Sequence, residues 1–150
     1  MRTLILNMAC LFILTAEGSA QKYVVEHFTP DQGLASNATY QVLQDRYGFM
    51  WFACAGGLNI FDGYQFRTFT IADGLPHTSI RCMAEDMDGW IWIGTENGVA
   101  CYASPWRTRT EPHSGLFKNF TGHFRNIGVH TLLIDRDNKL WIGTNDHGLI

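Results

Sequence analysis

The chain reads as an all-β protein built from repeated four-stranded units, and three observations predict this. Trp51 and Trp92 lie 41 residues apart, as do Gly48 and Gly89, and Gly33 and Gly74, whereas Trp92 to Trp141 spans 49. Around each tryptophan unlike residues keep one frame: Asp45, Asp86 and Asp135 stand six positions before it, and Gly48, Gly89 and Asn138 three before it. Asp88-Gly89 and Asn97-Gly98 are strong hairpin signals, because both turn positions must tolerate positive φ. A period of about 40 to 50 residues with several short strands per copy predicts β-propeller blades rather than a helical solenoid.

Composition agrees. The chain has 150 residues, 46% of them hydrophobic, with frequent aromatics and sparse charges, which suits sheet better than disorder. A net charge of −3 gives no electrostatic case for nucleic acid or an anionic membrane. Arg2, the apolar run 4–14 and the small residues Gly18-Ser19-Ala20 have the layout of a secretory signal, with cleavage expected after Ala20. Residues 1–20 are therefore read as a signal peptide and 21–150 as a partial propeller, with repeats at about 27–65, 66–115 and 117–150. Cys10 leaves with the signal. Cys54, Cys82 and Cys101 remain, an odd number at small apolar strand positions, and are expected to be buried free thiols.

The elements follow in order. Residues 23–28 are expected to be a short strand entering the first blade, before the polar turn at Asp31-Gln32-Gly33-Leu34. Strands are then expected at 39–44, 49–53, 58–61 and 64–69, separated by turns at Tyr47-Gly48, Gly56-Gly57 and Asp62-Gly63. The second copy repeats this from Asp73-Gly74-Leu75, with strands at 80–85, 90–94 and 99–102. Residues 103–114, with two prolines and Trp106 between Pro105 and Arg107, read as an inserted loop. The third copy is expected to resume at Phe117, with strands near 129–134 and 140–144, and the sequence stops inside it. About three blades form an incomplete ring with exposed faces and unpaired edges, so a longer protein is expected.

At these repeats the sequence resembles the two-component regulator propeller family. Asp73-Gly74-Leu75, Asp86-x-Asp88-Gly89, Trp92-Ile93-Gly94-Thr95 and Gly98-Val99 carry the resemblance, as do Asp135-x-Asp137-Asn138-x-Leu140-Trp141-Ile142-Gly143-Thr144 and Gly148-Leu149. The first copy departs from it, with Phe52-Ala53-Cys54 in place of Ile-Gly-Thr. The resemblance implies the periplasmic sensor half of a bacterial membrane-bound regulator, with propellers followed by a β-sandwich, a transmembrane helix and a histidine kinase or diguanylate cyclase. It implies an exported, periplasmic location, a homodimer, and a small polar ligand, in some members an oligosaccharide. The membrane would be reached only through a helix downstream.

The acid pairs Asp86/Asp88 and Asp135/Asp137 resemble the opening of a calcium loop, but the glutamate at its twelfth position is absent, so turn capping is expected and no metal or cofactor. Trp51, Trp92 and Trp141, identically placed, are expected to pack between blades rather than stack on sugar. Eleven residues before each tryptophan stand Tyr40, Arg81 and His130, where the frame is fixed but the residue type varies. If their strand is innermost, they converge at the mouth of the ring and are candidate ligand contacts. Asn37, His77 and Thr78 share that candidacy, as does Trp106 on the inserted loop. No nucleophile–base–acid set is visible, so these residues are expected to be non-catalytic. The leading expectation is a ligand-sensing segment of a two-component sensor. The rivals are an enzyme on a propeller scaffold, lyase or glycosidase, and a secreted protein-binding scaffold.

Overall fold

A computed structural model describes residues 24–103 and 117–150. The expected signal peptide, most of the inserted loop and Trp106 lie outside them. Among the described residues, ten strands form three antiparallel sheets. The first contains β1 (Thr39–Gln44), β2 (Met50–Cys54), β3 (Gly57–Phe61) and β4 (Phe66–Phe69), paired in that order. The second contains β5 (Ile80–Glu85), β6 (Trp90–Thr95), β7 (Gly98–Ala103) and β8 (Phe117–Asn119). The third holds β9 (Val129–Ile134) and β10 (Leu140–Thr144), and 148–150 start a further strand through paired hydrogen bonds between Ile142 and Ile150 of 2.8 and 2.9 Å.

The strand positions match the sequence reading, with two corrections. Residues 24–28 pair with no strand among the described residues. The repeat boundaries also move. Phe66–Phe69 closes the first sheet as the fourth strand expected at 64–69, so the boundary near residue 65 falls too early, and Phe117–Asn119 pairs with β7 instead of starting the third copy. The insertion before Phe117 hides this, because it displaces the last strand of its blade from the 41-residue frame. A short helix, Thr121–Phe124, then leads towards β9.

The sheets stack face to face, as strand alternation dictates. Trp51 is 1% exposed and packs with Leu58, Phe69 and, from the second sheet, Met83, Ile91, Ile93 and Tyr102. A second cluster joins Cys82 and Val99 to Val129, Leu132 and Ile142 of the third sheet, with Trp92 against it. Trp141, the same position in the third sheet, is 42% exposed. Packing between sheets thus accounts for Trp51 and Trp92, while Trp141 faces outward. Along one side of this stack β1 lies against β5 and β5 against β9, so the first strand of each sheet is innermost. The amide of Gln41 on β1 bridges to β5, its Nε2 donating to Met83 O at 3.0 Å and its Oε1 accepting from Met83 N at 2.6 Å.

Candidate functional site

Two ends of the innermost strands differ in chemistry. At one end lie the turns between first and second strands. Asp45 Oδ1 accepts from Tyr47 N and Phe49 N, and Oδ2 accepts from Trp51 Nε1, at 2.9, 3.0 and 2.9 Å. Asp86 repeats this with Asp88 N, Trp90 N and Trp92 Nε1, each at 2.9 Å. Asp135 does so with Asp137 N, Lys139 N and Trp141 Nε1, at 2.9, 2.9 and 2.8 Å. These donors hold the Asp135 carboxyl below the usual aspartate range, the Trp141 indole foremost. Gly48, Gly89 and Asn138 supply the positive φ that the turn requires. The expected turn capping falls to the first acid of each pair. Its carboxylate is occupied by three N–H donors, so this end is scaffold.

The other end is where Tyr40, Arg81 and His130 sit, and a backbone irregularity explains their variability. The register slips between Thr39 and Gln41, between Ile80 and Cys82, and between the partners of Gly143 and Thr144, which are Thr131 and Val129. The residue skipped in each innermost strand is Tyr40, Arg81 or His130. Each is a β-bulge residue outside the ladder, and a bulge re-aims its side chain without disturbing the pairing on either side. Sequence spacing found these positions but not their cause.

Two of the three meet. The Arg81 guanidinium lies over the Tyr40 ring, 4.5 Å from its centroid, an arrangement in which the ring face attracts the cation. Arg81 also forms an ion pair with Glu96 from the β6–β7 turn. His130 is exposed at the equivalent place on β9. The turns are held here by one recurring bond: Ala55 N to Ala38 O, Glu96 N to Ser79 O and Asn145 N to Gly128 O, at 3.0, 3.2 and 2.9 Å. A methyl on Gly128 would fall 2.5 Å from Asn145 Nδ2 and 3.6 Å from Glu96 Oε2, so both side chains crowd the loop that leads to His130. Sequence reasoning missed Glu96 and Asn145. Their signal was the position four after each tryptophan, which varies as Ala55, Glu96 and Asn145.

The remaining candidates divide. His77 Nδ1 accepts from Ser79 N at 3.0 Å, which shapes its own loop, Thr78 is half-buried and Asn37 exposed. The residues flanking the segment that carries Trp106 leave the sheet near the Asp86 turn, since Ala103 pairs with Trp90 and Phe117 with Tyr102. That is the end opposite Tyr40 and Arg81. Among the described residues the Tyr40 hydroxyl, the His130 ring and the Asn145 amide keep hydrogen-bonding capacity beside a charge-balanced Arg–Glu pair.

Parts of this chain resemble known proteins. Residues 74–97 and 123–146 match the family described as two component regulator propeller. A stretch of 56 residues is 30% identical to a histidine kinase of Formosa agariphila, covering 37% of this chain and 4% of that protein. The fold resembles the extracellular domain of a B. thetaiotaomicron protein described as a putative hybrid two component system, with a TM-score of 0.68, 25% identity, and coverage of 83% of this chain and 17% of that one. It also resembles PorZ, a surface component of the type-IX secretion system of Porphyromonas gingivalis, with a TM-score of 0.58 and 17% identity over 81% of this chain and 20% of that one. The chain thus spans a small part of each relative.

Proposed function

The chain carries the repeats of the two-component regulator propeller family, and from that premise we propose that it is the ligand-reading, non-catalytic part of an extracytoplasmic sensor kinase. The observation that supports this most is the bulge triplet, which sets Tyr40, Arg81 and His130 outside the hydrogen-bonded ladder at one end of the innermost strands. The scaffold end repeats the same residues, whereas this end presents a different group from each blade. Such an arrangement reads a ligand rather than turning it over. Because Glu96 balances Arg81, the local charge favours an uncharged, hydroxyl-rich ligand over a strong anion, and a short oligosaccharide fits that chemistry. Tyr40 and the guanidinium offer flat surfaces for a sugar face, and Glu96 and Asn145 offer hydrogen-bond partners. Binding would favour one arrangement of paired subunits, and the signal would follow from that difference in affinity.

The test is calorimetric titration of the natural full-length ectodomain against a panel of neutral and acidic oligosaccharides. Tyr40→Ala and Arg81→Ala should each weaken the best ligand at least about tenfold, the loss of one good contact, while leaving the thermal midpoint nearly unchanged. Unaltered affinity in both variants would overturn the site. Release of cleaved sugar during the titration would favour the enzymatic rival instead.

A further inference from the structure

We propose that Asn97 is a positioning residue: by fastening the β6–β7 turn to the loop before β9, it fixes Glu96, and through Glu96 the Arg81 guanidinium that ties the second sheet to the first. The two seams between sheets are held differently. The first is fastened in mid-strand by Gln41 on Met83, at the scaffold end by Arg46, and at the bulge end by Arg81 over the Tyr40 ring. The second is held at the scaffold end by Met87 N, which donates to Asn138 Oδ1 at 3.0 Å. At the bulge end it is held by the turn itself. There Asn126 N donates to Asn97 Oδ1 at 2.7 Å, and Gly98 N to Ile127 O at 2.9 Å.

This arrangement is particular to the second seam. In the first copy Ala55 and Gly56 occupy the slots of Glu96 and Asn97, so the first sheet has neither the carboxylate nor the amide. The loop entering the third sheet is also shorter, with eight residues between Phe120 and Val129 against ten between Phe69 and Ile80. It is drawn against the turn: a methyl on Gly98 would fall 3.0 Å from Phe124 O. Asn126 takes a φ of 62°, a left-handed conformation that asparagine visits more readily than most residues, and its N–H is the one that meets Asn97. On the other side Glu96 N donates to Ser79 O at 3.2 Å. The turn is therefore held by its own entry loop and by the next one, and Glu96 sits between those holds. Its Oε1 takes both Nε and Nη2 of Arg81. A guanidinium is planar, so an acceptor at one edge orients the whole group, here over the Tyr40 ring. The line from Tyr40 through Arg81, Glu96 and Asn97 to Asn126 crosses all three sheets, so a disturbance of loop 121–128 reaches Tyr40. The positioning is a property of the unliganded protein, whatever the site binds.

Amide hydrogen–deuterium exchange on the natural full-length ectodomain, without ligand, tests this. Arg81→Ala should speed exchange in segment 34–41 about tenfold, the loss of one partly desolvated cation–π contact. Asn97→Ala should speed exchange in 121–130, where its bond is lost, and also in 34–41, which it does not touch. Asn97→Asp keeps the acceptor for Asn126 N and should restore both segments. In the double variant Arg81→Ala/Asn97→Ala, exchange in 34–41 should be no faster than in Arg81→Ala alone. An Asn97→Ala effect confined to 121–130 would overturn the positioning role. So would effects of the two substitutions that multiply at 34–41, or a rise spread evenly over β1–β10, which would mean general loosening.

Discussion

At the scale of single residues, the fixed interval between aspartate and tryptophan is a bond. Asp86 is buried, holds two turn N–H groups with one oxygen and the Trp92 indole with the other, so it ties the turn to the face that packs on the next blade. Asp86→Ala should cost about 2–4 kcal/mol, because it removes charge-assisted bonds and strands buried donors. Trp92→Phe should cost less, and the two together should show a coupling of about 1.5–3 kcal/mol in a double-mutant cycle followed by urea unfolding. Strict additivity would show that the indole bond contributes nothing. The frame was legible in the sequence, since three copies keep it. The bond was not, because constant spacing reports that two residues depend on each other without saying through which atoms. Cys54 illustrates the same limit. It stands where Thr95 and Thr144 accept a role that a thiol performs poorly: their hydroxyls bond Gly98 O and Gly148 O at 2.9 and 2.8 Å, while Cys54 lies 3.8 Å from Asn59 Oδ1.

At the scale of elements, the question is what keeps one sheet against the next. Gln41 and Arg46 of the first sheet reach across. Gln41 satisfies both backbone groups of Met83 on β5, acting as a one-residue substitute for strand pairing. Arg46 reaches the second turn, where its Nε meets Glu85 Oε1 at 2.5 Å and Nη1 meets Met87 O at 3.0 Å, and Asp86 O accepts from the same guanidinium. Gln41→Leu keeps the bulk but leaves Met83 N–H and C=O unpaired, so unfolding midpoints should drop by an amount equivalent to about 1–3 kcal/mol. Gln41→Glu should fall between, since it retains the acceptor for Met83 N and loses the donor. Equal stability of Leu and wild type would sink this assignment. Neither contact could be read from the sequence, because Gln41 has no repeat counterpart, with Cys82 and Thr131 in its slot, and Arg46 recurs only as Arg136 in the third copy, with Met87 in the second. Strand number was legible in the first two copies and misplaced only where an insertion broke the period before β8.

For the whole molecule, stability is a sum of sheets and the interfaces between them, and its pH dependence reflects what those interfaces bury. Burial pushes the Cys82 thiol up from 9.0 to about 12, and the Tyr102 hydroxyl up from 10.0 to about 12. Each sits in one of the two inter-sheet clusters. The folded values exceed the unfolded ones, so the native state keeps protons that the unfolded chain gives up. The contribution is therefore complete below about pH 9 and is lost between 9 and 12, by up to about 1.4 kcal/mol per pH unit for each group. Urea midpoints should accordingly be level from pH 7 to 8.5 and fall by pH 10.5. In Cys82→Ala the decline should be shallower, with Cys101, whose thiol is also pushed up by burial, and Tyr102 still contributing. A Cys82→Ala profile identical in shape to wild type would remove the thiol from the account. The sequence foretold the buried thiols, but not that Cys82 lies at a seam, because the sequence shows faces and leaves their mating to three dimensions.

The bulges have a consequence for how such a protein changes over time. A residue that belongs to no ladder pair and no inter-sheet cluster carries little of the fold, so replacing it should disturb folding little. Tyr40, Arg81 and His130 already differ at one geometric position within a single chain. On the proposed ligand-reading role, recognition in this architecture is cheap to revise: each repeat offers a replaceable letter at a fixed place, and a new alphabet of ligands needs no new scaffold.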